Sequence, residues 1–289
     1  MGKLTSPTTI KDIMTRYGFH FSKSLGQNFI IDEHVLERIV DGAEIGEDDL
    51  ILEVGPGIGV MTEALCQAAK KVVAVEIDSA LIPILNETVG HFDNFSLVHS
   101  DVLKLDLKTF VKEQFDGRAP KLVANLPYYV TTPIIMTFLE QRIPLTDLVV
   151  MIQKEVADRI LAKPSTKAYG GLSVVVQYFT EPSIVTQVSK GSFMPSPNVD
   201  STVIRLKVRE TPPVVLKDEK LFFDTIRDAF GKRRKTLLNA LSSGRLGISK
   251  LQAAEALDRS GIPTNTRGEA LSIDAFATLS NAIYDVKNS

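Results

Sequence analysis

The chain has 289 residues, 44% of them hydrophobic and 24% charged, a balance that excludes a disordered or fibrous protein and predicts one large domain or a large one with a small companion. Cys66 is the only cysteine, so an intrachain disulfide and a cysteine-only metal site are excluded and a reducing compartment is favoured. The formal net charge of −2 does not by itself suggest a nucleic-acid partner.

Distribution says more than the total. Residues 1–29 carry Lys3, Lys11, Arg16 and Lys23 against the single acid Asp12, and residues 221–245 carry Arg227, Lys232, Arg233, Arg234, Lys235 and Arg245 against Asp224 and Asp228. Either cluster is a solvated face or an RNA-binding patch. No run approaches about 18 consecutive apolar residues, and the first residues lack the apolar core of a secretory leader. A cytoplasmic protein without a membrane partner is expected.

In chain order, apolar β-branched runs predict strands over 50–54, 72–76, 96–99, 122–124, 148–152, 184–188 and 202–206. Helical patterns lie between most of them, for example at 60–69, 80–89 and 133–141. Such alternation predicts βαβ units and a mostly parallel sheet covered on both faces. The last two strands are joined by the Pro-containing stretch 189–200 without a clear helix, which predicts an antiparallel end to the sheet. Thr211-Pro212-Pro213 then breaks the pattern. Beyond it, helices are predicted over 219–230, 233–242, 250–258 and 273–286, with Ser249 and Gln252 as a capping box and Ser272 as an N-cap. The tail is expected to be a small all-helical domain.

Three features suggest a nucleotide site. Glu53-Val54-Gly55-Pro56-Gly57-Ile58-Gly59 follows the first strand and precedes a helix, where glycines let the backbone turn tightly and approach a ligand. Glu76 ends the second strand 21 residues after Gly55, where a carboxylate can accept both ribose hydroxyls. Asp101 follows the third strand at a matching height and can accept from an adenine amine. The loop alone leaves a nicotinamide dinucleotide and S-adenosylmethionine both open, because Gly-x-Gly-x-Gly does not separate them.

Asn125-Leu126-Pro127-Tyr128-Tyr129 after the fourth strand narrows the chemistry. The Asn125 amide offers a carbonyl acceptor, Leu126 a backbone carbonyl, Pro127 a fixed turn, and Tyr128 a stacking face. An adenine amine has its lone pair delocalised into the ring, and two acceptors on its N–H groups favour a more nucleophilic nitrogen. Phe193, in Phe193-Met194-Pro195-Ser196-Pro197-Asn198-Val199-Asp200-Ser201, is a second aromatic candidate opposite Tyr128, or part of a core-covering loop. His20, His34, His91 and His99 show no ligand spacing, and no Gly-x-Ser-x-Gly elbow is present, so neither a metal site nor a serine hydrolase is expected.

Taken together with Lys23-Ser24-Leu25-Gly26-Gln27-Asn28-Phe29 and Arg233-Arg234-Lys235-Thr236-Leu237-Leu238-Asn239, these motifs resemble in order the bacterial small-subunit ribosomal RNA adenine N6,N6-dimethyltransferases of the KsgA/RsmA type. The resemblance implies an α/β class I methyltransferase, a Rossmann-like domain over 32–210 with a mostly parallel seven-stranded sheet. It also implies an N-terminal arm over 1–31 that contributes to cofactor and RNA binding, and a helical RNA-binding domain over 211–289. Asn28, the Ile30 backbone, Gly55, Gly57, Glu76, Asp101 and Asn125 would surround S-adenosylmethionine. Asn125, Leu126, Pro127, Tyr128 and Phe193 would serve the reaction, and Lys23, Arg233, Arg234 and Lys235 would bind RNA. The implied product is a pair of adjacent N6,N6-dimethyladenosines in the 3′-terminal hairpin of 16S rRNA, made on an immature small subunit; a monomer is expected because no repeating apolar stripe stands out in the sequence. Val60-Met61 departs from the usual continuation of the loop, a question of packing rather than chemistry. Erm-type enzymes acting on 23S rRNA, usually with Asn-Ile-Pro-Tyr, and a non-catalytic assembly factor are the alternative readings; a dehydrogenase is a third.

Overall fold

The computed structural model describes residues 2–22, 25–232 and 234–289. The chain divides into two compact units, one of residues 1–157 and 181–208, the other of 158–180 and 209–289. A single cut at 210 does not anticipate the second unit's first segment, which the sequence leaves inside the α/β stretch.

In the first unit, β1 (Leu50–Val54), β2 (Lys71–Glu76), β3 (Phe95–His99), β4 (Lys121–Asn125), β5 (Asp147–Gln153), β6 (Thr180–Val188) and β7 (Ser201–Val208) form one sheet, in the order β3-β2-β1-β4-β5-β7-β6. All seven expected runs are strands. The pairs from β3 through β5 are parallel, and β7 runs antiparallel to β5, with Asp147 opposite Lys207 and Gln153 opposite Ser201. β1 and β5 are apolar nearly throughout and almost wholly buried, as befits strands covered on both faces. The chain steps outward one way from β1 through β2 and β3, and the other way from β4. Side chains cannot fill the gap above a sheet where its connections diverge, so a crevice opens beyond the carboxyl ends of β1 and β4.

Packed with the sheet in this unit are α1 (Pro7–Tyr17), α2 (Glu33–Gly42), α3 (Val60–Ala68), α4 (Ile82–Thr88), α5 (Leu107–Gln114) and α6 (Thr131–Glu140). Of the segment 1–31, expected as an arm, the described residues contribute to the core. Leu4, Ile10, Ile13, Phe19, Phe29 and Ile30 are buried in the same apolar cluster as Ile51, Val72 and Val149. The sequence reading missed α1, although its signals are present. Pro7 opens the helix with a preset φ and no N–H to satisfy, and Gly18 closes it at φ +58°. Strand-like Phe29–Ile30 pairs antiparallel with Phe193–Met194, so the N-terminal segment is stitched to the stretch between β6 and β7. Val60 and Met61 are both buried, so the unusual continuation after the glycine loop packs without exposure.

After β5 come α7 (Lys154–Ile160) and α8 (Gly171–Phe179), and beyond β7 come α9 (Glu219–Gly231), α10 (Leu237–Ser242), α11 (Lys250–Arg259) and α12 (Ile273–Asn288). The Ser249–Gln252 capping box is formed in both directions, and Ser272 Oγ accepts from Ala275 N. The helix expected over 233–242 starts later, at Leu237, whose N–H donates to Thr266 O. Arg234 and Lys235 therefore lie on an exposed turn, and Arg233 lies outside the described residues.

In the second unit, Phe222 and Phe276 are fully buried, Phe276 packs on Phe230, and Tyr169 Oη donates to Leu271 O at 2.7 Å. Asp228 is 7% exposed and accepts from Leu246 N at 3.1 Å, under the backbone of Gly244. A Cβ at 244 would stand 2.0 Å from Asp228 Oδ2. Gly244→Ala should therefore displace that buried carboxylate and cost about 1–3 kcal/mol. A lower urea midpoint at unchanged slope is the expected result, and an unchanged midpoint would contradict it.

Candidate active site

Parallel strands in register end at one edge, and that geometry assembles the site. Val54 is opposite Val75, so the backbone that leaves β1 at Gly55 stands level with Glu76, and Glu76 in turn pairs with His99, two residues before Asp101. Gly55 N donates to Val75 O at 3.0 Å and pins the loop to β2. Gly55, Gly57 and Gly59 have φ of +73°, +63° and +91°, a region that disfavours side chains. The loop then feeds straight into α3. One cavity beyond this edge is lined by Asn28, Ile30, Gly55, Gly57, Glu76, Asp101 and Asn125 together.

Glu76 and Asp101 are both held by backbone N–H groups. Glu76 accepts from Asp78 N through Oε1 at 2.8 Å and from Gly57 N through Oε2 at 3.4 Å. Burial raises its carboxyl above the usual range, opposed by those N–H donors. Asp101 caps the short turn Val102–Lys104, with Oδ1 accepting from Leu103 N at 3.0 Å. Gln27 ties the N-terminal segment down at two points, accepting from Ser22 N at 2.7 Å and donating to Asp78 Oδ2 at 2.7 Å.

Asn125 ends β4, and its Nδ2 donates to Asn28 O at 2.9 Å. Only the NH2 end of an amide can donate to a carbonyl, so Oδ1 is left as the acceptor at the cavity. Pro127 also lines the cavity, and its carbonyl accepts from Val130 N and Thr131 Oγ1, which locks the turn into α6. Leu126 is 1% exposed with its N–H on Met151 O.

Neither of the two aromatic candidates is in the described cavity lining. Tyr128 is half-buried, and its hydroxyl bonds Ser201 Oγ at 2.8 Å, at the start of β7. Burial raises the phenol above its ordinary value, with the Ser201 hydroxyl opposing and the Asp200 charge reinforcing. Phe193 is 3% exposed and belongs to the apolar core, paired with Ile30. It is a core-covering residue here rather than a face opposite Tyr128. The aromatic residues in the described lining are the buried Phe29 and Tyr129, which is 59% exposed.

Sequence reasoning missed Tyr129, Gln27 and the buried Glu53, although a charged residue inside Ile51-Leu52-Glu53-Val54 is itself a signal. Of the basic residues, Lys3 pairs with Glu33, Arg16 with Asp12 and Glu87, and Arg227 with Asp224, so both clusters are partly neutralised. Lys23 lies outside the described residues.

A doubly wound sheet with its last strand, β7, inserted antiparallel between β5 and β6 is the architecture of class I methyltransferases, and the crevice at its switch point carries Glu76 and Asp101. The model of the family described as "Ribosomal RNA adenine dimethylase" matches residues 18–285. The chain is 54% identical over 281 residues to the ribosomal RNA small subunit methyltransferase A of Alkaliphilus oremlandii, covering 97% of this chain and 98% of that protein. It is 51% identical to the protein of the same name in Clostridioides difficile, with 98% of each covered. Among solved structures, a dimethyladenosine transferase from Plasmodium falciparum superposes with a TM-score of 0.74 at 25% identity, over 87% of this chain and 95% of that one. The 23S rRNA methyltransferase ErmE shares the fold, with a TM-score of 0.67 at 23% identity over 89% and 99%. This chain belongs to the ribosomal RNA adenine dimethylase family. It is a methyltransferase by family, and the family implies S-adenosylmethionine as its cofactor.

The glycine loop yields a test of the site's packing. A Cβ at Gly57 would meet Phe29 Cε1 at 2.9 Å, whereas one at Gly55 meets nothing within 4 Å. Both positions have positive φ, which costs alanine about 1–2 kcal/mol. Gly57→Ala should lose more stability than Gly55→Ala in urea denaturation, because only the former also displaces Phe29. Equal losses would contradict that packing.

Proposed function

We propose that this protein transfers methyl groups to N6 of two adjacent adenosines in the 3′-terminal hairpin of 16S rRNA, giving N6,N6-dimethyladenosine on the immature small subunit in the cytoplasm. The observation that carries the reading is the Asn125 amide, whose donor end is engaged by Asn28 O and whose acceptor end remains at a cavity bearing Glu76 and Asp101. Relatives named for the small ribosomal subunit, similar over nearly the whole chain, support that substrate over the large-subunit RNA of the Erm enzymes.

The residues fit the cofactor. Glu76 would accept from the ribose hydroxyls, Asp101 from the cofactor's adenine amine, and Gly55 and Gly57 would let the backbone approach without a side chain in the way. S-adenosylmethionine, when bound, supplies an electrophilic methyl group on a sulfonium. Asn125 Oδ1 and the Leu126 carbonyl would accept from the N–H groups of the target amine. That draws its lone pair out of conjugation and stabilises the positive charge that develops as the new bond forms. The proton lost from nitrogen passes to solvent, and no side-chain base is needed. The Tyr128–Tyr129 pair would hold the base by stacking, worth roughly 1–3 kcal/mol. Tyr128 is braced on Ser201, and Tyr129 stands at the mouth. Arg234 and Lys235 on their exposed turn, with Arg233 and Lys23, would contact RNA phosphates, and the enzyme would act as a monomer.

The direct test incubates the protein with methyl-labelled S-adenosylmethionine and small subunits lacking the modification, then maps the label. Label on the paired adenosines is expected; label confined to 23S rRNA, or none, would overturn the proposal. In the same assay Asn125→Ala should lower turnover by about 10²–10³, and near-normal turnover would remove it from the mechanism. Glu76→Ala should raise the dissociation constant for S-adenosylmethionine in titration calorimetry, and an unchanged constant would show that Glu76 does not hold the ribose.

A further inference from the structure

Glu53 occupies the buried end of β1 and lines the same cavity, yet nothing in the mechanism above uses it. Its side chain is 0% exposed, and neither carboxyl oxygen has a hydrogen-bond partner among the described residues. Thr62 Oγ1, equally buried on α3, has none either. A carboxylate in this position loses its hydration without compensation, so the protein alone favours the neutral acid. Burial pushes the Glu53 carboxyl up to about 8, with the Thr62 hydroxyl opposing and the Glu76 charge reinforcing.

The rest of the cavity gives this group something to respond to. Its described lining holds three carboxyl groups, Glu53, Glu76 and Asp101, and no lysine, arginine or histidine. On α3, burial holds the Cys66 thiol up at about 12, with the Glu53 and Glu63 charges reinforcing, so Cys66 stays neutral beside Glu53. Lys104, outside that lining, stands 3.7 Å from Asp101 and offsets its charge, but Glu53 and Glu76 face no cation within the described lining, which favours a ligand with excess positive charge. S-adenosylmethionine carries a sulfonium, a net positive charge more than S-adenosylhomocysteine, and is otherwise nearly the same molecule.

We propose that Glu53 is a specificity-determining residue that senses the sulfonium: neutral in the empty cavity, it releases its proton to solvent when the methyl donor enters and takes one back when the neutral thioether remains. Donor is thereby preferred over spent product, and product release is eased. The inference rests on the cofactor assignment above.

Proton linkage reads this out without turnover. Calorimetric titration of the intact protein at pH 7, in buffers of different ionisation enthalpy, measures protons released per ligand bound. S-adenosylmethionine should release more protons than S-adenosylhomocysteine, and its dissociation constant should fall by up to about tenfold per pH unit as pH rises toward 8, then level off. The thioether's constant should change less. Any contribution from Glu76 through the ribose is common to both ligands and cancels in the comparison. Glu53→Gln, a neutral isostere of the protonated acid, should abolish the difference in proton release and reduce the preference for donor over product by about tenfold.

The empty variant should melt at or above the wild-type temperature at pH 7. A carboxyl raised above its unfolded value subtracts stability once pH exceeds that value, and glutamine removes the penalty. Equal proton release with both ligands, an unchanged preference in Glu53→Gln, or a variant that melts well below wild type would overturn the role of Glu53 while leaving the cofactor assignment standing. Failure of either ligand to bind would overturn the assignment itself, and the inference with it.

Discussion

The site depends on the parallel register of β3, β2, β1 and β4. Hydrogen bonds between in-register parallel strands make their carboxyl ends coincide, so four residues far apart in sequence, Gly55, Glu76, Asp101 and Asn125, arrive at one edge without loops having to reach for one another. The interiors of β2, β1 and β4 are largely apolar and buried, and a one-residue slip would drive polar side chains into the layers between sheet and helices. The core therefore sets the register, and the register sets the site.

A second constraint joins the N-terminal segment to that edge. Asn28 O accepts the Asn125 amide, Gln27 reaches Asp78, Phe29 packs against Gly57, and Phe29–Ile30 pairs with Phe193–Met194. One short segment touches the loop after β1, the turn after β2, the end of β4 and the stretch before β7. Its burial is the reason the segment behaves as part of the catalytic unit: residues such as Ile10 and Ile13 cannot leave the core without exposing apolar surface. The orientation of Asn125, on which acceptance of an amine depends, is a consequence of that packing.

Much of this was legible beforehand, for identifiable reasons. The seven strands announce themselves as short β-branched runs. The glycine loop, Glu76, Asp101 and Asn125 sit at strand ends, where spacing alone predicts a shared edge. What escaped depends on tertiary partners. α1 carries its Pro7 and Gly18 signals but too weak an apolar pattern to stand out. The grouping of residues 158–180 with the C-terminal helices is a matter of which apolar faces meet, as with Tyr169 on Leu271 O. Tyr128 is drawn to Ser201 by a hydroxyl–hydroxyl bond that no local pattern encodes, and Phe193 is buried because its strand partner is Ile30, 163 positions away in the sequence. Glu53 was visible as a charge in an apolar strand, but its lack of partners is a property of the packed core.

The most direct measurement of the central claim is a crystal structure of the protein with S-adenosylmethionine or its thioether product. The account predicts ribose hydroxyls on Glu76, the cofactor's adenine amine on Asp101, and the sulfur end directed toward Asn125 Oδ1. A ligand bound away from the Gly55–Glu76–Asp101 edge, or with its sulfur remote from Asn125, would contradict it.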